Sequence, residues 1–169
     1  MTFDSFTGQS SQVNPEIDSF LGGNGAVRGK RGVTRISLVE DGIESTFDFR
    51  DAGKVPGLFN EVGDSGSYEA VLLNEAGEQI GTSSIEFELI KQLGNGAFIA
   101  EISDTLDFGE GNTITLEGKL NVEKFEDLKP ARLGVVEGEG IFEGVGGKAT
   151  LTQAELDVLD VVNIDLLLT

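Results

Sequence analysis

From Val33 to the carboxyl terminus, apolar side chains recur at every second position, and turn-forming residues interrupt the pattern about once every dozen residues. Ile85, Phe87 and Leu89 alternate with Glu86 and Glu88, and Ile114, Leu116, Leu120 and Val122 with Thr113, Thr115, Glu117, Lys119 and Asn121. Successive side chains of a strand point to opposite faces, so each such segment has one dry face and one wet one. The alternation predicts strands over 33–40, 43–49, 67–74, 79–90, 97–108, 112–123, 132–142, 147–155 and 158–168. Asp41-Gly42, Ala76-Gly77 and Asn95-Gly96 are short connections of the kind that supply positive φ in hairpins, so neighbouring strands should run antiparallel. Long strands with no helices between them leave a sandwich or a barrel. Strands of this length in so short a chain favour an all-β fold, a closed antiparallel β-barrel of about eight strands whose interior can hold one small ligand. The irregular stretch 50–66, with Pro56 and several glycines, reads as a loop at one rim.

The chain of 169 residues suits one domain, here the barrel at 33–169 behind an N-terminal extension at 1–32. Asn14-Pro15-Glu16 has the order of a helix start, which predicts a short helix over 15–21 with Ile17, Phe20 and Leu21 on one face. That face suits a lid across a barrel mouth, while simple docking and disorder are the alternatives. The glycines at 22, 23, 25, 29 and 32 argue against a regular element at the end of the extension.

The chain carries 30 acidic and 12 basic residues, a formal charge of −18, which repels nucleic acid and anionic membranes alike. It has neither cysteine nor histidine, so disulfides, thiolate nucleophiles, imidazole zinc sites and Ser-His-Asp triads are excluded. Met1 to Gln12 lacks the pattern of a signal peptide and no stretch has the length of a membrane span, so a cytoplasmic protein is expected. Asp104, Asp107, Glu110 and Asn112 lie close in sequence but miss the spacing of a calcium loop, and read as a solvated acidic turn; no metal and no cofactor is expected.

The segment from Gly138 to Gln153, beginning Gly-Glu-Gly-Ile-Phe-Glu-Gly-Val-Gly-Gly, resembles the Gly-x-Gly-Ile-Phe-x-Gly-x-x-Gly hairpin of allene oxide cyclases and, more loosely, of dirigent proteins. Glu75 to Ser84 is similar to a hairpin of the bacterial spirotetronate cyclases, which share that barrel. The resemblance spans about 33–168 and implies catalysis by positioning, in which a flexible apolar substrate is held folded while a ring closes, pericyclic closures included. Plant allene oxide cyclases use a first-strand glutamate and an asparagine soon after a Val-Pro. Here Val55-Pro56 is followed by Asn60, one residue later than in plants, and alignment on Asp41-Gly42 places Leu38 where the glutamate would be. Family members assemble as dimers or trimers, so a homodimer or homotrimer is implied.

Proton transfer falls to Asp, Glu, Lys and the lone tyrosine, Tyr68. On the strand 97–108, Phe98, Ala100 and Ile102 share one face and Ile99, Glu101 and Ser103 the other. Glu101 is a candidate acid or base if its face lines the interior, and a solvated surface residue if it does not. With Tyr68 and Asn60 it makes the candidate catalytic set. Phe47, Phe49, Phe59, Phe87, Phe98 and Phe142 are candidates for an apolar ligand wall, or else fill the barrel as core. Three functions follow: a cofactor-independent cyclase or isomerase acting on a polyene, polyketide-like or oxylipin-like substrate, a noncatalytic carrier of a small hydrophobic molecule, and an interaction protein with a filled barrel.

Overall fold

The computed structural model describes residues 26–28, 33–42, 47–54, 57, 59–156 and 158–169. The alternating segments become β1 (Ala26–Arg28), β2 (Thr34–Asp41), β3 (Asp48–Arg50), β4 (Ser65–Leu73), β5 (Gln79–Gln92), β6 (Phe98–Asp107), β7 (Thr113–Asn121), β8 (Ala131–Gly138), β9 (Gly147–Glu155) and β10 (Val158–Leu168). The hydrogen-bonded order is β1-β2-β10-β9-β8-β7-β6-β5-β4-β3, every pairing is antiparallel, and β2 also pairs with β4. That last pairing closes an eight-stranded barrel and leaves β1 and β3 as short strands outside the closed ring. Among the described residues no helix is long and apolar enough to cross a membrane.

The strands expected at 33–40 and from 67 onward are present, of the one expected at 43–49 only Asp48 and Phe49 are described as strand, and there are three further differences. Val122 and Glu123 leave the strand pattern for a helix, α1 (Val122–Glu126), because Asn121 caps it: its Oδ1 accepts the Lys124 amide at 3.0 Å. Residues Gly140–Phe142 form a 3-10 turn instead of extending β8, since Gly140 takes a φ of +63°. Ala26–Arg28 form β1 where glycines argued against a regular element. The reason is tertiary: β4 pairs only with Val39, Glu40 and Asp41 of β2, leaving the edge at Thr34, Arg35 and Ile36 open for β1. The predicted helix at 15–21, residues 43–46 and Val55-Pro56 lie outside the described residues.

Inward positions repeat in rows across the ladders. Gly66, Phe87, Ile102, Gly118 and Leu133 form one row; Tyr68, Ile85, Asp104, Leu116 and Val135 the next; Ala70, Ser83, Leu106, Ile114 and Gly138 a third. The core joins the third row to the inner faces of β2, β9 and β10, where Ile36, Leu38, Leu151, Val162, Ile164, Leu166 and Leu168 are buried. The first end of the barrel carries the β4–β5, β6–β7 and β8–β9 turns, and there Phe142, fully buried, packs on Phe108 at 5.3 Å between ring centroids. This end of the barrel is packed solid. At the second end, Tyr68, Phe87, Ile102, Leu120 and Val135 face inward but are only half-buried. There Gln153, with its amide nitrogen directed at α1, donates to the carbonyls of Phe125 and Glu126 at 3.1 and 3.2 Å.

Candidate functional site

The β2 register puts Thr34, Ile36, Leu38 and Glu40 on one buried face, so Glu40 projects into the barrel beside leucine and isoleucine. The β6 register does the same with Ala100, Ile102, Asp104 and Leu106. Glu40 and Asp104 are 2% and 1% exposed, among the most deeply buried polar groups described. Ser83, on the inner face of β5, donates its hydroxyl to Glu40. Glu40 pairs in the ladder with Leu72 and Ser83 with Ala70, so the small Ala70 side chain leaves the diagonal across β4 open for this bond. Neither oxygen of Asp104 has a hydrogen-bond partner among the described residues. An orphaned buried acceptor pair costs stability, so its presence asks for an explanation beyond packing.

Burial governs the protonation of both acids. Desolvation raises Glu40 from 4.5 to about 7, against a smaller lowering by the Ser83 hydrogen bond. Asp104 is pushed well above the ordinary carboxylate range, first by desolvation and then by the charge of Glu40. Two carboxyls in each other's field ionise in sequence, so near neutral pH the pair holds a proton while one member carries charge. Such a pair can donate a proton and accept one without histidine.

The rim of the second end is aromatic. Phe59 lies 5.9 Å from Phe47, 5.2 Å from Phe49 and 5.1 Å from Phe87, and Phe47 stacks on Tyr68 at 6.1 Å. Tyr68 belongs to the same inward row as Asp104, with Ile85 between them. The rings occupy the space over Gly66, where an added Cβ would lie 2.7 Å from the tip of Phe87. Asp64 braces the loop that carries Phe59: its carboxylate accepts the amides of Ala52, Asn60 and Glu61 at 2.9, 3.0 and 3.1 Å. These bonds, that of Ala52 foremost, hold Asp64 below its ordinary value of 3.8 against the opposing effect of burial. Asp51 and Glu61 bring a carboxylate oxygen each within 4.8 Å of it, and they accept the Gly53 and Lys54 amides at 2.5 and 2.6 Å. The group is a loop brace.

Of the candidates drawn from sequence, the structure brings together Tyr68, Phe47, Phe49, Phe59 and Phe87, with Asn60 exposed on the loop beside them. Phe98 starts β6 on the inward face and is half-buried. Two assignments are corrected. Glu101 stands on the outer wall, where its carboxylate meets Lys119 at 3.4 Å with both side chains more than half exposed, because Ala100 and Ile102 take the inner positions. Phe142 belongs to the packed end and has no free surface. Asp104, read as part of a solvated acidic turn, is corrected as well: Asp107, which accepts the Gly109 amide at 2.7 Å, and Glu110 are exposed, while Asp104 and Asn112 are buried. Glu40 and Asp104 were nevertheless legible as acids in the apolar register of their strands. Leu38, the residue aligned with the family glutamate, shares that inner face with Glu40 two positions on.

Two described concavities face outward. One, of about 710 Å³, is bordered by Ser67, Glu86, Glu101, Ser103 and Glu117 on the outside of the β4–β7 wall. The other, of about 470 Å³, lies over Ser37, Asn163 and Asp165 on β2 and β10.

The profile of the allene oxide cyclase barrel like domain matches residues 51–166. No curated protein matches the chain. Among solved structures, a Diels-Alderase from Streptomyces koyangensis is 16% identical with a TM-score of 0.63, covering 80% of this chain and 63% of its own. The chain thus spans less than two thirds of that protein's length. A pyocyanin demethylase is 19% identical at a TM-score of 0.62, with 80% of this chain and 99% of that one covered. A pterocarpan synthase dirigent protein is 15% identical at 0.65, with coverages of 84% and 97%. At these identities the likeness is one of fold.

Proposed function

The chain belongs to the allene oxide cyclase barrel like family, and on that premise we propose that it is a cofactor-independent cyclase or isomerase that folds a flexible apolar substrate within the second end of the barrel. The observation that carries this reading is the Glu40–Asp104 pair, buried among apolar side chains, with the oxygens of Asp104 unpartnered among the described residues. A barrel built only for stability gains nothing from two desolvated acids. As a catalytic pair they have a use. Protonated Asp104 donates to a carbonyl or ether oxygen of the substrate and draws electron density from the reacting carbons, while ionised Glu40, held by Ser83, accepts the proton released elsewhere. Tyr68 adds a phenol to the Asp104 row, and the rings of Phe47, Phe59 and Phe87 hold the apolar part in its reactive fold. Asn60 lies on the loop beside them as a polar contact for the outer part of the substrate.

The test is cyclisation of a diene tethered to an α,β-unsaturated ketone, followed with and without protein. Acceleration that falls at least about tenfold in Asp104→Asn supports the reading. A rate equal to that in buffer removes catalysis. The aromatic rim supports binding without chemistry, so a carrier of a small hydrophobic molecule is the second reading; native mass spectrometry of the purified protein, showing a retained small molecule but no turnover, would select it.

A further inference from the structure

Apart from Glu40 and Asp104, the described charged side chains leave the barrel interior to apolar and neutral groups. Arg35, Arg50, Lys54, Lys91, Lys119, Lys124, Lys129, Arg132 and Lys148, the described basic residues, are all exposed. Arg35 pairs outward with Asp165 at 3.0 Å and Lys119 with Glu101. The inner rows contain two carboxyls and no cation to offset them. Asp104 sits one inward position below Ile102, about 7 Å further along the strand from the half-buried row of Phe87 and Ile102. A chamber at the second end would therefore have this acid pair at its inner end.

On this basis, and resting on the reading of the second end as a substrate chamber, we propose that the chamber selects uncharged molecules with a carbonyl-type head and rejects carboxylates. An anionic head would be a second negative charge beside ionised Glu40, in a desolvated space with no described basic side chain to meet it. At about 5 Å and an effective dielectric near 20, that repulsion is large enough to weaken binding about a hundredfold. A neutral carbonyl instead accepts from a protonated carboxyl, and an attached N–H or O–H donates to the unpartnered oxygens of Asp104. Among apolar substrates of this shape, the acid pair favours esters, lactones, amides and ketones over free fatty acids.

The experiment compares two probes that differ only in the head, biphenyl-4-ylacetamide and biphenyl-4-ylacetate. Binding is measured by calorimetry at about pH 8 in about 0.5 M sodium chloride, which screens the exposed surface charge far more than the interior. The acetamide should bind at least about thirtyfold tighter to the wild-type protein. Glu40→Gln should narrow that ratio, the Glu40→Gln/Asp104→Asn double variant should narrow it further, and Glu101→Gln, on the outer wall, should leave it unchanged. Equal affinity for the two probes overturns the selectivity while leaving the chamber in place. A preference that survives Glu40→Gln assigns it to the surface and overturns the proposal also. Binding of neither probe sinks both the selectivity and the chamber on which it rests. The single variant carries the comparison should the double variant fail to fold.

Discussion

Replacing Glu40 with glutamine keeps the shape of the side chain and an oxygen for the Ser83 hydroxyl, but removes a group that the fold must either neutralise or hold charged in an apolar interior. Burial raises Glu40 from 4.5 to about 7, a displacement of about 2.5 units, and each unit is worth about 1.4 kcal/mol. The sign follows from proton counts. Between these two values the folded protein binds more protons than the unfolded chain, so stability falls as pH rises through the window and stays low above it. The loss by about pH 8 is about 3 kcal/mol, relative to the stability below pH 4.5. Glu40→Gln escapes that loss. The variant should gain on the wild type progressively from about pH 5 and exceed it by up to about 3 kcal/mol at about pH 8. Urea unfolding followed by circular dichroism at several pH values measures the difference directly. Because Asp104 also feels the charge of Glu40, the variant keeps a slope of its own, and the difference between the two curves is the quantity of interest. If that difference is the same at every pH, Glu40 titrates in the folded protein as it does in the unfolded chain, and burial does not raise it.

Phe142→Ala opens a cavity against Phe108 in the packed first end and should cost about 3–5 kcal/mol in urea unfolding, while affinity for a neutral apolar probe at the other end changes little. Glu101→Gln removes an exposed ion pair with Lys119 and should shift stability by less than about 1 kcal/mol, with no change in any turnover; a large loss of activity would return Glu101 to the catalytic set. Asp64, held below 3.8, stabilises its loop at higher pH and releases it as pH falls through its lowered value. Protection factors for amide exchange at Ala52, Asn60 and Glu61 should therefore fall on acidification in the wild type, and already be low at neutral pH in Asp64→Ala.

The period of two in the chain determined most of the strands and their antiparallel order, because a strand half-buried against a core must alternate and a short glycine-containing turn must reverse direction. It also placed Gly77 and Gly96 at their turns, where φ values of +77° and +93° favour glycine. The same alternation contained Glu40 and Asp104, each in phase with leucine and isoleucine neighbours, but parity alone does not say which face of β6 is inside. With Ile99 on one side and Ile102 on the other, both faces looked partly apolar, and only the pairing of β6 with β5 and β7 turned Asp104 inward and Glu101 out. Closure decided the rest. Residues far apart in the chain, Glu40, Ser83 and Asp104, meet because β2 returns to pair with β4, and desolvation arises only once all the strands surround them. A local pattern sets where side chains point along one strand; what they face, and how much water they lose, depends on contacts that exist only in the closed barrel.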